Sequence, residues 1–179
     1  MFGTAQLSNG VYLRMLKHSD SELLAAAYSA NQQHLAPWDP LRTPEFFTPR
    51  GQSREIVSKL SQYDAGTALP LILATDDEIV GSLNLSGIVR GPFQSANLGY
   101  WIDAGLTGQG VMGQAVKTVA EYAKETMGLH RIQAGTLVHN EASQRVLAKN
   151  GFEYFGTAPK YLKIADQWQD HKLFQLILE

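Results

Sequence analysis

The sequence predicts a mixed α/β (α+β) domain built on one central, largely antiparallel sheet that is flanked by helices. Segments that alternate between apolar and polar residues are interleaved with segments whose apolar residues recur at helical spacing. Two apolar runs on either side of the acidic turn Asp76–Asp77 are typical of a β-hairpin, in which neighbouring strands are antiparallel. A chain of 179 residues can bury a substantial core, so we expect residues 1–179 to form a single domain.

The first elements are a strand and two helices around an irregular stretch. Val11–Leu16 alternates like a strand, and Ser19 or Asp20 can cap a helix that runs to about Ala30. Prolines and aromatic residues in Asn31–Pro49 indicate irregular or short helical structure. Helical spacing of apolar residues then predicts a helix over Ser53–Tyr63.

Three strands follow, and none of them is separated from the next by a helix. The hairpin comprises two strands, and the break at Gly91–Pro92 is followed by a third whose residues alternate. These strands are predicted at Ala68–Thr75, Glu78–Val89 and Ser95–Asp103.

The second half alternates helices with strands. A long helix, Val111–Met127, carries the apolar stripe Met112, Val116, Val119 and Ala123. The remaining predicted elements are the strand Arg131–Val138, the helix Glu141–Lys149, a strand that starts at Gly151–Phe155, and the strand Lys172–Leu178. The predicted order is therefore β–α–α–β–β–β–α–β–α–β–β.

Composition excludes several classes of function. Hydrophobic residues make up 44% of the chain and charged residues 18%, which is typical of a soluble protein. The chain has no cysteine, which excludes disulfides, thiolate metal sites and a cysteine nucleophile, and we expect no metal. A net charge of −2 predicts no nucleic-acid partner, and the lack of a long apolar run predicts no membrane association. We therefore expect a cytoplasmic protein.

The glycines of Leu106–Ala115 form the most informative motif. Gly108, Gly110 and Gly113 lie between a predicted strand and a predicted helix, where main-chain N–H groups and the helix dipole favour an anion. Their spacing also matches a dinucleotide-binding fingerprint, but the parallel βαβ unit and the acidic residue that this fingerprint needs are missing. The spacing does not fit a P-loop. A phosphate cradle and a plain glycine turn remain as interpretations.

The element order, the glycine loop and four further motifs resemble the GNAT superfamily of acyl-CoA-dependent N-acetyltransferases. The resemblance is strongest to its RimJ/RimL-like branch, which acetylates the N-terminal amines of ribosomal proteins. It rests on Leu98-Gly99-Tyr100-Trp101-Ile102, Thr107–Ala115, Asn140-Glu141-Ala142-Ser143 with Asn150-Gly151-Phe152, Trp168-Gln169-Asp170-His171, and His34-Leu35 with Trp38. These motifs span nearly the whole chain.

The resemblance implies a site for acetyl-CoA between two strands that splay apart at a bulge in Leu98–Trp101. The pyrophosphate would bind the main-chain N–H groups of residues 109–113. The residues implied in cofactor binding are Trp101, Ile102, Gln109, Gly110, Val111, Met112, Gly113, Asn140 and Ser143. Thr107 and Met112 depart from the family's loop pattern, and Gln109 is expected to supply a side-chain donor in place of the first of these.

The resemblance also implies the residues that carry the chemistry. A main-chain N–H near Trp101 would stabilise the oxyanion. Ser143 is the expected general acid, because Leu147 stands where many relatives have a tyrosine, and Asn140 is an N-cap beside it. Some relatives have a glutamate as the base where this chain has Leu162. The remaining candidates for the base are His34 and Asp170, with His171, His139 and Glu78 behind them.

The predicted function is acetyl transfer from acetyl-CoA to a primary amine, and the expected acceptor is the N-terminal α-amine of a protein or peptide partner. An α-amine has a pKa near ~8, so part of it is neutral without a strong base. Two alternatives stay open, namely a small-molecule amine as acceptor (a polyamine, an amino acid or an antibiotic) and a CoA-binding module without catalysis. The chain is expected to be a monomer or a homodimer.

Overall fold

Eight strands form one sheet in the computed structural model, which describes residues 2–179. The order across the sheet is β1-β2-β3-β4-β5-β6-β8-β7, and every neighbouring pair is antiparallel except β5 with β6. The predicted sheet is therefore confirmed. The strands are β1 Ala5–Gln6, β2 Tyr12–Met15, β3 Leu69–Ala74, β4 Ile79–Val89, β5 Ser95–Ile102, β6 Arg131–Leu137, β7 Glu153–Ile164 and β8 Gln167–Ile177.

Five α-helices accompany the sheet in the described part of the chain. They are α1 Ser21–Ala30, α2 Gln32–Leu35, α3 Pro49–Asp64, α4 Val111–Glu125 and α5 Glu141–Lys149, with 3₁₀ turns at His18–Asp20, Pro44–Phe47 and Ala104–Leu106. None of the helices within residues 2–179 has both the length and the apolar character needed to cross a bilayer.

Side chains of β3 show how the helices are divided between the two faces of the sheet. Leu69, Leu71 and Leu73 belong to the larger core, which also holds the apolar stripe of α4 and Leu147 of α5. Ile72 belongs to a smaller core formed with residues of α1 and α3. Because successive side chains of a strand point to opposite faces, α4 and α5 cover one face, and α1 and α3 cover the other.

The predicted stripe of α4 is confirmed, since Met112, Val116, Val119 and Ala123 are all buried. The helix α3 begins four residues earlier than predicted. Thr48 caps it by accepting from the Gly51 N–H at 3.1 Å, and proline is favoured at the first helical position.

One capping prediction and one strand prediction were incomplete. Asp20 stands at the N-cap of α1, but its carboxylate makes two 2.9 Å bonds to Arg14 instead of capping the helix. The last hairpin is much longer than predicted, because β7 extends to Ile164 and β8 begins at Gln167. The motif Trp168–His171 therefore lies inside β8.

Candidate active site

The sheet opens between β5 and β6. These parallel neighbours pair only at Ser95–Asn97 with Arg131–Gln133. Beyond that point β5 continues to Ile102 along β4, whereas β6 continues to Leu137 along β8. The facing edges of the two strands therefore carry main-chain groups without a strand partner. We call this gap the strand opening.

The splayed strands that the resemblance implies are present, but the irregularity lies in another strand. The pairing of β5 with β4 is continuous from Ile102 to Asn97, and the register shifts only between Ser86 and Val89 of β4. The expected bulge in Leu98–Trp101 is thus wrong in its position. The divergence results instead from β5 following β4 while β6 follows β8.

Alternation along β5 decides which N–H groups face the opening. The Asp103 N–H donates to the Val80 carbonyl of β4 at 2.7 Å, and the Trp101 carbonyl lies against β4 as well. Main-chain groups alternate sides along a strand, so the N–H of Trp101 also points to β4, and those of Tyr100 and Ile102 point into the opening. The N–H donor predicted near Trp101 therefore corresponds to its two neighbours.

The Trp101 side chain lies on the face of the sheet that α1 covers. Its indole Nε1 donates to the Tyr28 hydroxyl at 3.0 Å, and the two ring centres are 4.9 Å apart. Burial raises the pKa of Tyr28, so its hydroxyl stays protonated near neutral pH. This packing holds the end of β5 in place beside the opening.

The N-terminus of α4 presents consecutive main-chain N–H groups without an acceptor. The first helical bond runs from the Gln114 N–H to the Gly110 carbonyl at 3.1 Å, and no acceptor within residues 2–179 bonds the N–H groups of Gly110 to Gly113. Gly108 and Gly110 have φ of +78° and +82°, and a Cβ on either would meet nothing within 4 Å. Open space, left-handed glycines and free N–H groups at a helix start fit a pyrophosphate.

Side chains around this glycine loop explain the departures from the family pattern. Met112 and Val111 are buried in the larger core, so their side chains do not compete with an anion for the loop. The Gln109 side chain is already engaged, because its Nε2 donates to the Gly105 carbonyl and its Oε1 accepts from Asn9, both at 2.6 Å. The amide of Gln109 has two N–H groups, so the bond to Gly105 uses one of them, and the expectation of a side-chain donor stays a prediction.

Asn140 and Ser143 lie together at the start of α5. Asn140 Oδ1 accepts from the Ser143 N–H at 3.1 Å, which confirms Asn140 as the N-cap. The Ser143 side chain is half-buried and remains available for other partners. Leu147, one turn further along, is fully buried in the larger core and offers no polar group.

Tyr100 is a residue of this site that the sequence reasoning missed. Its hydroxyl lies 2.8 Å from Ser143 Oγ and 3.3 Å from the Ser143 carbonyl, so the side chain joins β5 to α5. Burial raises the pKa of Tyr100 to about 12, with the Ser143 hydrogen bond acting in the opposite direction. The sequence feature that could have identified Tyr100 is the alternation of side chains along β5, which places it on the same face as the core residue Leu98.

His34 and Trp38 lie at the outer end of the strand opening. His34 Nε2 is 3.2 Å from the Ile102 carbonyl, and since a carbonyl only accepts, Nε2 carries the hydrogen. The Trp38 ring lies 5.4 Å from the ring of His139, which precedes α5. The structure thus brings His34 to the end of β5 and Trp38 to the far side of the opening.

Asp170 is held in a different place. Its Oδ1 accepts from the Lys160 N–H of β7 at 2.8 Å, and Lys160 has a left-handed φ of +47°. The carboxylate is exposed and, among residues 2–179, makes no hydrogen bond with Ser143 or His34. This bond gives Asp170 a part in shaping the last hairpin.

Within residues 2–179, the other candidates for the base, His171, His139 and Glu78, make no hydrogen bond with Ser143. His171 is buried, and its Nδ1 donates to the Gln169 carbonyl at 3.0 Å, while Leu162, where some relatives have a glutamate, is exposed on β7. Residues 2–179 contain no group of three His, Asp or Glu side chains suited to a metal ion.

The arrangement as a whole combines three chemical capacities within one opening. The start of α4 can hold a polyphosphate, the edge of β5 offers N–H donors to a developing negative charge, and Ser143 at the start of α5 offers a hydroxyl proton. These are the requirements of acyl transfer from a phosphate-bearing thioester.

Comparison with known proteins agrees with this geometry. The family model described as Acetyltransferase (GNAT) domain matches residues 11–153. The [Ribosomal protein uS5]-alanine N-acetyltransferase of Escherichia coli (strain K12) is 36% identical over 92% of this chain and 86% of its own length. The probable N-acetyltransferase YjcK of Bacillus subtilis (strain 168) is 34% identical over 93% of both chains.

Solved structures are similar over nearly the full length. The ribosomal-protein-S5-alanine acetyltransferase of Vibrio fischeri superposes with a TM-score of 0.94 at 32% identity and covers 99% of this chain and 98% of that chain. Mycobacterium smegmatis RimJ, solved in complex with CoA-disulfide, gives a TM-score of 0.91 at 28% identity over 98% of this chain and 86% of that chain. The predicted fold and enzyme class are confirmed, and the chain belongs to the GNAT family of acetyltransferases.

Proposed function

We propose that this protein transfers an acetyl group from acetyl-CoA to the N-terminal α-amine of a protein. The observation that carries the proposal is the strand opening, with free N–H groups at the start of α4 on one side and Ser143 at the start of α5 on the other. The 36% identity to an enzyme named for the alanine of a ribosomal protein supports a protein acceptor.

Acetyl-CoA supplies a thioester that is activated for acyl transfer to an amine. The N–H groups of Gly110 to Gly113 would hold its pyrophosphate, and the free edge of β5 would hold the arm that leads to the thioester. The N–H groups of Tyr100 and Ile102 would stabilise the negative charge that develops on the carbonyl oxygen, because oriented dipoles act strongly in a site that excludes water. Trp101, between them, contributes through its packing.

Ser143 is the proposed general acid and gives its hydroxyl proton to the departing sulfur. His34 is the proposed base, because its ring already lies at the end of β5 with Nδ1 free of the bond that Nε2 makes. Asp170 is the second candidate, although its Oδ1 already accepts a main-chain N–H. A neutral α-amine needs only weak assistance from either group.

We further propose that the enzyme acts in the cytoplasm, as a monomer or a homodimer, on a newly made protein. Its acceptor would be a ribosomal protein with a small first residue, such as alanine or serine. The names of the relatives support this acceptor class. No role for nucleic acid is included in the proposal.

The test measures release of free thiol from acetyl-CoA in the presence of peptides that begin with Ala, Ser or Thr. We expect turnover with these peptides. We expect none when the same peptides are blocked by N-terminal acetylation, because blocking removes the α-amine and leaves the amines of lysine side chains in place. Spermidine and free amino acids are the small-amine controls. Turnover with spermidine but not with peptides would contradict the proposal, as would tight binding of acetyl-CoA without turnover of any amine.

A further inference from the structure

A tyrosine on β5 contacts the proposed general acid, and the proposed mechanism gives its side chain no part. Tyr100 comes from one side of the strand opening and Ser143 from the other, and their hydroxyl oxygens lie 2.8 Å apart. Within residues 2–179 the Tyr100 hydroxyl joins β5 to the start of α5 through two contacts with Ser143, one with Oγ and one, at 3.3 Å, with the main-chain carbonyl. It therefore fixes the serine against the strand whose free edge faces the opening.

The direction of this hydrogen bond decides what Ser143 can do. A hydroxyl has one proton, so a serine that donates to Tyr100 has none left for another acceptor. A tyrosine that donates to Ser143 Oγ leaves the serine proton free. The Ser143 carbonyl, at 3.3 Å, is a second acceptor within reach of the phenol proton, but Oγ is nearer, at 2.8 Å. A phenol is also a stronger acid than an alcohol and the better donor, so the second direction is favoured.

We propose that Tyr100 is a positioning residue that donates to Ser143 Oγ and thereby directs the serine proton toward the sulfur that leaves. This inference rests on the proposed function, because it gives Ser143 the role of general acid. In the step itself the amine nitrogen forms a bond to the carbonyl carbon, the carbon–sulfur bond breaks, and the sulfur takes the proton of Ser143 Oγ. The newly acetylated nitrogen gives its proton to the proposed base His34, which passes it to solvent, and the serine regains a proton from solvent.

Two features of the pair support a donor that keeps its own proton. The pKa of about 12 means that the phenol stays protonated across the range in which an α-amine is reactive. The Ser143 main chain is fixed by Asn140 at 3.1 Å, so the phenol does not need to hold the backbone in place. The contact of Tyr100 with Oγ is also shorter than its 3.3 Å contact with the Ser143 carbonyl, so its main effect is on the serine hydroxyl.

The kinetic test is a double-mutant cycle of Tyr100→Phe and Ser143→Ala. We expect Tyr100→Phe to lower kcat about tenfold, the rate equivalent of one hydrogen bond to a developing charge. The affinity for acetyl-CoA without acceptor, measured by calorimetry, should stay within about twofold, because the pair does not hold the pyrophosphate. In the Ser143→Ala background, the same Tyr100→Phe change should lower kcat by less than about twofold.

A second readout uses the protein without substrate. If the two hydroxyls are bonded, the melting temperature should fall by about 2–4 °C for either single variant, and the double variant should fall by less than the sum. Tyr154→Phe is the matched control, because the Tyr154 hydroxyl lies 2.8 Å from Thr157 Oγ1 in an equivalent pair on the exposed strand β7. It should leave kcat unchanged.

Three results would overturn the positioning role while leaving the acetyltransferase activity intact. They are an unchanged kcat in Tyr100→Phe, an equal loss of kcat in both backgrounds, and a loss of acetyl-CoA affinity in place of kcat. Additive melting temperatures would also overturn it, since they would mean that the hydroxyls are not bonded. A wild-type protein that turns over no amine would overturn the proposed function together with this inference.

Discussion

At the scale of single residues, Ser143 and Asn140 divide two tasks at the start of α5. The cap uses the main-chain N–H of Ser143, which an alanine retains, so Ser143→Ala should keep the helix and lose only the hydroxyl. We expect kcat to fall by about 10², the usual contribution of a general acid. Steady-state kinetics with an Ala-peptide measures this. Asn140→Ala, in contrast, removes the cap and should lower the free energy of unfolding by about 1 kcal/mol. An unchanged kcat in Ser143→Ala would contradict the acid role.

For Met112 as well, the role of the side chain can be separated from the role of the main-chain N–H. Its side chain is buried, and its main-chain N–H belongs to the cradle at the start of α4. Met112→Ala should therefore lower the free energy of unfolding by about 2–4 kcal/mol and leave acetyl-CoA affinity nearly unchanged. Urea unfolding and calorimetry measure the two quantities. Thr107→Ala, on the exposed side of the loop, is the control and should change unfolding by less than about 0.5 kcal/mol. Loss of affinity in Met112→Ala would show that the side chain binds the ligand.

Residues of local motifs could be predicted from the sequence, whereas residues whose role depends on distant contacts could not. The N-cap of α5 and the glycines at the start of α4 are visible as short patterns, because their partners lie within a few residues. Tyr100 and Ser143 are 43 positions apart, and only the divergence of two strands brings them together. The bond from Asn9 to the Gln109 side-chain oxygen is likewise a long-range contact, between residues 100 positions apart.

At the scale of elements, two substitutions at the start of α4 are expected to change the stability of the protein in opposite directions. Gly110 has a φ of +82°, where a Cβ is strained, so Gly110→Ala should destabilise the protein by about 1–2 kcal/mol and weaken acetyl-CoA binding. Gly113 lies inside α4, and its added Cβ would be 3.8 Å from Asn150 Nδ2, an ordinary contact. Gly113→Ala should therefore stabilise the unliganded protein by about 0.5 kcal/mol. Thermal unfolding of both variants tests this, and equal destabilisation would contradict it.

The hairpin of β7 and β8 is the element whose bounds were predicted least accurately from the sequence. Gly156, Pro159 and the left-handed Lys160 interrupt β7, and a proline within an apolar run argues against a strand. The structure tolerates them because β7 is the edge of the sheet, where its outer side needs no partner. An edge position is a property of the whole sheet and cannot be seen in a local window. The interior strands β3 to β6 were predicted within one residue at each end, whereas β8, which pairs with the edge strand, begins five residues earlier than predicted.

At the scale of the whole molecule, the strand opening divides the sheet into two halves, and the segment from Asn31 to Asp39 spans the gap between them. His34 contacts the end of β5 at the Ile102 carbonyl, while Trp38 contacts His139 on the other half. The Asp39 carbonyl accepts from Ala165 at the tip of the last hairpin at 3.0 Å. This segment therefore limits the route by which an acceptor can approach the opening from the side away from α4.

Trp38 provides the test of that route. The Trp38 and His139 rings lie 5.4 Å apart at 36°, a contact that holds the segment against the half of the sheet containing β6. Trp38→Ala should raise KM for an acceptor peptide by about tenfold, because the acceptor surface loses its anchor, and should change KM for acetyl-CoA by less than about twofold. His139→Ala should have a similar effect, and the two changes together should cost less than their product, since both remove one contact. Trp168→Ala is the matched control, because Trp168 is 63% exposed on β8. If KM for acetyl-CoA rose in parallel with KM for the peptide, Trp38 would be supporting the donor site, and the acceptor would have to approach by another path.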